Sequence, residues 1–189
     1  MAVHADCKRR NQNRKFAAMI RTCVLLLTIL VAHVAVAQQA PAALKTEFTA
    51  EALQQPLFAP DGQQTTAGDV LEAYKGQTVL LYIWAMWCPD CLKGFPELKA
   101  FQAANPDVPV VYFSLDREEQ RWKDGIEKFE LEGAHYWFKT DWKNDFTNAI
   151  DLNWIPRYLI INPKGGIAHY YAVKADDPAL QQAVDKLAQ

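Results

Sequence analysis

Thr78-Val79-Leu80-Leu81-Tyr82-Ile83-Trp84, running on through Ala85-Met86-Trp87-Cys88-Pro89-Asp90-Cys91, is the stretch that decides the fold. Its first part is a nearly unbroken β-branched, aliphatic and aromatic run. That pattern marks a strand buried on both faces, as in the middle of a parallel sheet. The two cysteines follow directly. Pro89 suits the first position of a helix, where its missing N–H costs nothing. Leu92, Phe95, Leu98 and Phe101 then recur at helical spacing up to Ala104. Strand, Cys-x-x-Cys and helix in immediate succession form a redox motif.

Working outward, Asn105-Pro106-Asp107 breaks the helix, and residues 108–115 (VPVVYFSL) read as a second buried strand. Asp116 with Glu119 has capping-box spacing, ahead of a helix with Trp122, Ile126 and Phe129 on its apolar face. Residues 135–138 look like a short strand and 144–150 like a short helix. Residues 157–162, the turn Pro163-Lys164-Gly165-Gly166 and residues 167–172 read as a hairpin. Asp177-Pro178 opens a last helix with Leu180, Val184 and Leu187 inward. Before the motif, Pro56-Leu57-Phe58 and Pro60-Asp61-Gly62 suggest a strand and turn, and residues 68–74 a short helix. A parallel crossover half joined to an antiparallel hairpin half predicts an α/β fold, a mixed central sheet flanked by helices.

The first 37 residues differ in kind. Lys8, Arg9, Arg10, Arg14, Lys15 and Arg21 stand against Asp6 alone, and an apolar run from Cys23 ends in Ala35-Val36-Ala37. This is the layout of a secretory signal peptide, cleaved before Gln38. The run, about 14 residues, falls short of the ~20 a spanning helix needs. An uncleaved N-terminal anchor is the alternative, and it is the one route by which the chain would meet a membrane. Residues 38–46 read as an Ala/Pro linker and residues 47–189 as the folded domain.

Leader removal takes six of 20 basic and one of 22 acidic residues, leaving 14 against 21, a net of −7. An acidic mature chain argues against a nucleic-acid partner. Cys7 and Cys23 leave with the leader, so Cys88 and Cys91 become the only thiols of the mature chain. A single pair this closely spaced is a poor staple for a domain, and chemistry explains it better.

The chemistry follows from placement. A helix N-terminus offers free N–H groups and a positive dipole end, which stabilise a thiolate at Cys88 in the N-cap position. Cys91, one turn in, is covered. Cys88 should therefore attack a disulfide and Cys91 resolve the mixed disulfide.

Trp84-Ala85-x-Trp87-Cys88-x-x-Cys91, the later Ile155-Pro156 and the Leu159-Ile160-Ile161-Asn162-Pro163-Lys164-Gly165 hairpin together resemble the thioredoxin superfamily, within it the exported TlpA/ResA-like branch. The likeness covers roughly residues 47–189. It implies a thioredoxin-like fold with an N-terminal strand extension and a central insertion at about residues 117–140. It implies an exported, periplasmic or extracytoplasmic thiol–disulfide oxidoreductase that needs no cofactor. Its partners would be disulfide-containing or thiol client proteins, apocytochrome c among the possibilities, with electrons from a membrane-embedded dithiol carrier. It also implies a cis Ile155–Pro156 bond facing the cysteines, leaving the backbone before Pro156 free to pair with a substrate strand. Trp87 and Trp154 read either as apolar surface around the site or as core.

Two departures from relatives stand out. The acid six residues before the first cysteine is replaced by Tyr82, and the acid three residues after the second by Gly94. Asp90 and Glu97 are the substitutes to consider as proton acceptors, though Asp90 also suits a first helical turn and Glu97 a solvated face. Asp90 should oppose thiolate formation and favour a reductant over a strong oxidant. Different readings are a thioredoxin-fold binding module without turnover, zinc held by Cys88, Cys91, His135 and His169, or copper handled by the two thiols and one His. Those histidines, on separate strands, read as half-exposed.

Overall fold

The computed structural model describes residues 44–140 and 142–189. The leader reading of residues 1–37 and residues 38–43 of the linker lie outside them. Among the described residues no helix is long and apolar enough to cross a membrane.

Helix α1 (Ala50–Leu53) leads into the hairpin β1 (Pro56–Phe58) and β2 (Gln64–Thr66), then α2 (Ala67–Glu72), capped by the Thr66 hydroxyl. Next come β3 (Val79–Trp84), α3 (Pro89–Lys93), α4 (Phe95–Ala104) and β4 (Val110–Ser114). Helix α5 (Glu119–Lys128), β5 (Ala134–Trp137) and α6 (Asp145–Ala149) precede the hairpin β6 (Arg157–Ile161) and β7 (Ile167–Ala172). The last helix is α7 (Pro178–Leu187), with Asp177 as its cap and Pro178 in its first turn.

The seven strands of the described residues join one mixed sheet in the order β2-β1-β5-β4-β3-β6-β7. Strand β3 is central, parallel to β4 and antiparallel to β6, and all its six residues are buried. Because side chains alternate across a strand, β3 feeds two cores. Tyr82 and Trp84 meet Phe95 of α4 on one face, while Phe113 of β4 meets Phe146 of α6 on the other. Paired amide bonds between Asn105 and Gln181 tie the end of α4 to α7. The expected insertion is α5 with β5, and β5 extends the parallel half beside β4. The N-terminal hairpin joins beyond it through Phe58 and Trp137. The carbonyl of Thr46, a residue read as linker, accepts the Ile167 N–H at 2.7 Å.

Three local expectations change. The helix after the cysteines is two helices, because Pro96 lacks the N–H that would carry the ladder across, and the chain turns at Gly94. Asp116 is no cap: α5 starts at Glu119 behind Glu118 with no side-chain cap bond, and Asp116 is turned fully inward. His135 is buried rather than half-exposed, its ring stacked on Tyr112 at 4.3 Å between centroids.

Candidate active site

The C-terminal ends of β3 and β4 place two loops side by side, the usual location of a site in a parallel sheet. The β3 loop carries the cysteines. Cys88 is the N-cap of α3 in extended conformation, and its Sγ accepts the Cys91 N–H at 3.1 Å. The two sulfurs are joined as a disulfide with Cα atoms 5.3 Å apart. Pro89 fills the first helical position. Cys91 is fully buried and Cys88 is only 4% exposed.

The Ile155–Pro156 bond is cis. The Ile155 carbonyl oxygen stands 3.5 Å from Cys88 Sγ, where the thiol form of Cys88 can donate to it. Arg157, next in the chain, is fully buried. Its guanidinium stacks 3.9 Å from the Tyr171 ring centroid and donates to Asn153 Oδ1 at 2.6 Å, which holds the 153–157 segment against β7. Burial disfavours the charge of Arg157. Nothing in the sequence pattern pointed to this residue beyond its place beside Pro156.

Trp87 is 39% exposed beside Cys88, with its indole N–H on the Leu115 carbonyl. Its ring lies 6.1 Å from that of Trp142, which donates to the Leu152 carbonyl at 3.2 Å. Trp154 is half-buried. Trp142 was not singled out by sequence, since a lone aromatic in an irregular segment carries no periodic signal.

The candidate proton acceptors fall apart spatially. Asp90 lies in the first turn of α3, its side chain 52% exposed and 3.8 Å from the Lys93 ammonium. Glu97 is exposed on α4, not on the cysteines' own helix. Tyr82 stacks face to face on Tyr158 at 4.4 Å, and its hydroxyl points at the Cys91 carbonyl at 3.5 Å. Burial holds that phenol well above the ordinary tyrosine range, so it acts as a donor and not as a base. A side chain at Gly94 would rest on the Tyr158 hydroxyl.

The carboxylate that does reach this loop is Asp116, the residue misread as a cap. Both its oxygens accept the Met86 N–H, at 3.0 and 3.1 Å. The available signal was an acid at the exit of a continuous buried strand. Metal binding gains no ligand set: His135 Nε2–H donates to the Leu131 carbonyl and His169 faces the Tyr171 carbonyl. Among the described residues no three His, Cys, Asp or Glu side chains come together as metal ligands would.

A family model described as thioredoxin-like matches residues 76–167. The sporulation thiol-disulfide oxidoreductase A of Bacillus subtilis (strain 168) is 28% identical over 101 residues, 52% of this chain and 61% of that protein. The chain thus spans about three-fifths of that curated relative. A secreted disulfide oxidoreductase of Mycobacterium tuberculosis superposes with a TM-score of 0.55 at 20% identity, covering 74% of this chain and all of that one. A thiol-disulfide oxidoreductase of Bacteroides fragilis gives 0.57 at 21% identity, covering 67% and 94%. Residues 76–167 are thus similar to thioredoxin-like proteins, and the fold is shared with solved thiol–disulfide oxidoreductases.

Proposed function

We propose that the chain reduces disulfides of exported proteins through a Cys88/Cys91 dithiol–disulfide cycle. One observation carries the reading: a buried Cys91 behind Cys88, whose sulfur lies against the Ile155 carbonyl. In the reduced chain the Cys88 thiolate attacks one sulfur of a client disulfide, the client's other sulfur leaves as thiolate, and a mixed disulfide forms. Cys91, deprotonated, then attacks Cys88 Sγ and releases the second client thiol. The client gains two electrons and two protons, and the chain returns to its disulfide.

Supporting roles are assigned to the neighbours of the cysteine pair. Pro156 and Ile155 present the backbone that pairs with the client strand. Pro89 shapes the helix start, and Trp87 supplies apolar surface. A dithiol carrier in the membrane would restore the reduced form, and apocytochrome c thiols are one client class. Export rests on the leader reading of residues 1–37, with an uncleaved anchor as its variant.

Redox equilibration of the purified chain against a dithiothreitol series tests direction. A midpoint near thioredoxin's, about −270 mV, is expected, and one near the strong oxidants, about −120 mV, contradicts a reductase.

A further inference from the structure

One buried ionisable group has no task in that cycle. Asp116 follows β4 and is fully buried. Its carboxylate accepts the Met86 N–H with both oxygens and the Ser114 hydroxyl at 2.9 Å. The backbone around it is fixed as well. Its carbonyl accepts the Trp137 indole N–H at 2.6 Å, and the Leu115 N–H donates to the Trp84 carbonyl at 2.9 Å. Burial raises the carboxyl above the ordinary carboxylate range, and the Met86 and Ser114 bonds and the field of Arg121 of α5 oppose that shift only in part. The two donors fix the orientation of the carboxylate.

Met86 stands two residues before Cys88, in a turn closed by the Cys88 N–H on the Ala85 carbonyl at 3.1 Å. Trans peptides space Cα atoms by ~3.8 Å, so the two steps from Met86 to Cys88 hold the carboxylate within roughly 15 Å of the Cys88 sulfur, and the turn brings it nearer. Both Asp116 and Cys88 are buried, and charges at buried sites interact more strongly than in water. A second negative charge on Cys88 is therefore disfavoured.

We propose that Asp116 is the positioning and electrostatic residue of the redox loop: its carboxylate fixes residues 86–88 and opposes thiolate formation at Cys88. This offsets the pull of the Cys91 N–H on the same sulfur. It destabilises the reduced form and biases the pair toward its disulfide, which makes the chain a better donor of electrons. Asp116 adds a buried carboxylate to the exposed Asp90, which stands 3.8 Å from the Lys93 ammonium. The consequence for direction rests on the reductase reading, but the effect on Cys88 does not.

The experiment titrates Cys88 in the reduced chain by thiolate absorbance and by alkylation rate against pH, with the alkylated residue located by mass spectrometry. These read the thiol whether or not the chain reduces any client. In the unaltered chain Cys88 is expected to titrate above ~7, and a value below that overturns the proposal. Asp116→Asn, and the smaller neutral Asp116→Ser, are expected to lower that value by about one unit, a tenfold change. Asp116→Glu, which keeps the charge, should leave it near its starting place. Neutral variants that lose thermal stability with no change in Cys88 titration show a merely structural carboxylate and overturn the proposal. If neither neutral variant folds, the titration of the unaltered chain decides.

Discussion

Burying the imidazole of His135 against Tyr112 has a pH signature. Its Nε2–H is spent on the Leu131 carbonyl while buried Nδ1 has no partner among the described residues, and the pKa of the ring falls below the ordinary 6.5. Desolvation is the main cause, and the Leu131 bond only partly opposes it. A base with a depressed folded pKa binds fewer protons folded than unfolded, so stability rises with pH. The contribution is complete above about pH 6.5 and is lost as pH falls below that toward the folded value. The urea midpoint is expected to drop between pH 7.5 and pH 5, and His135→Phe to flatten that slope. A slope unchanged in the variant would contradict this account of His135. The same residue marks a limit of sequence reading, because period-two alternation placed it on a strand but could not say which neighbour covered it. Asp116 shows that limit more sharply. Its spacing to Glu119 matches a cap, and only the turn of the chain between β4 and α5 sends the side chain inward. The pairing of Cys88 with Cys91, Pro89 at the start of α3 and the cis bond before Pro156 were legible because chemistry and backbone restriction attach to those residue types directly.

At the scale of elements, two glycines should respond oppositely. Gly133 enters β5 with φ of +139°, and a Cβ there would run into the Val110 carbonyl and the Tyr112 ring. Gly133→Ala is expected to cost about 2–4 kcal/mol in urea unfolding, from backbone strain and overpacking together. Gly94 joins α3 to α4 in ordinary right-handed conformation, with space for a methyl at van der Waals contact. Gly94→Ala should raise stability by about 0.5 kcal/mol by restricting the unfolded chain. A loss there would mean that the join between the helices needs the missing side chain. Helix and strand existence was readable from periodicity, as in β3, where every position is apolar and every position is buried. The α3/α4 break was not, since the apolar spacing of Leu92, Phe95 and Leu98 continues across Pro96 as though nothing interrupted it.

For the whole molecule, topology does what no single residue can. The parallel β3–β4 pair brings residues 85–88 and 115–116 together, and the antiparallel β3–β6 pair swings residues 155 and 156 to the same end. Crossover and hairpin halves were visible in the order of elements, whereas the seven-strand order, with the N-terminal hairpin added beyond β5, depends on pairings distant in sequence. The export reading belongs to this scale too. Expression of the full chain in a bacterial host should yield a mature protein beginning at Gln38, read by intact mass, and retention of residues 1–37 would favour the anchor instead. The central claim, that Cys88 attacks and Cys91 resolves, is tested most directly by trapping. The chain with Cys91→Ser, reduced and mixed with a disulfide-bonded protein, should accumulate an equimolar mixed disulfide through Cys88 that dithiothreitol releases, while the Cys88→Ser chain accumulates none; a mixed disulfide through Cys91, or none from the Cys91→Ser chain, would contradict it.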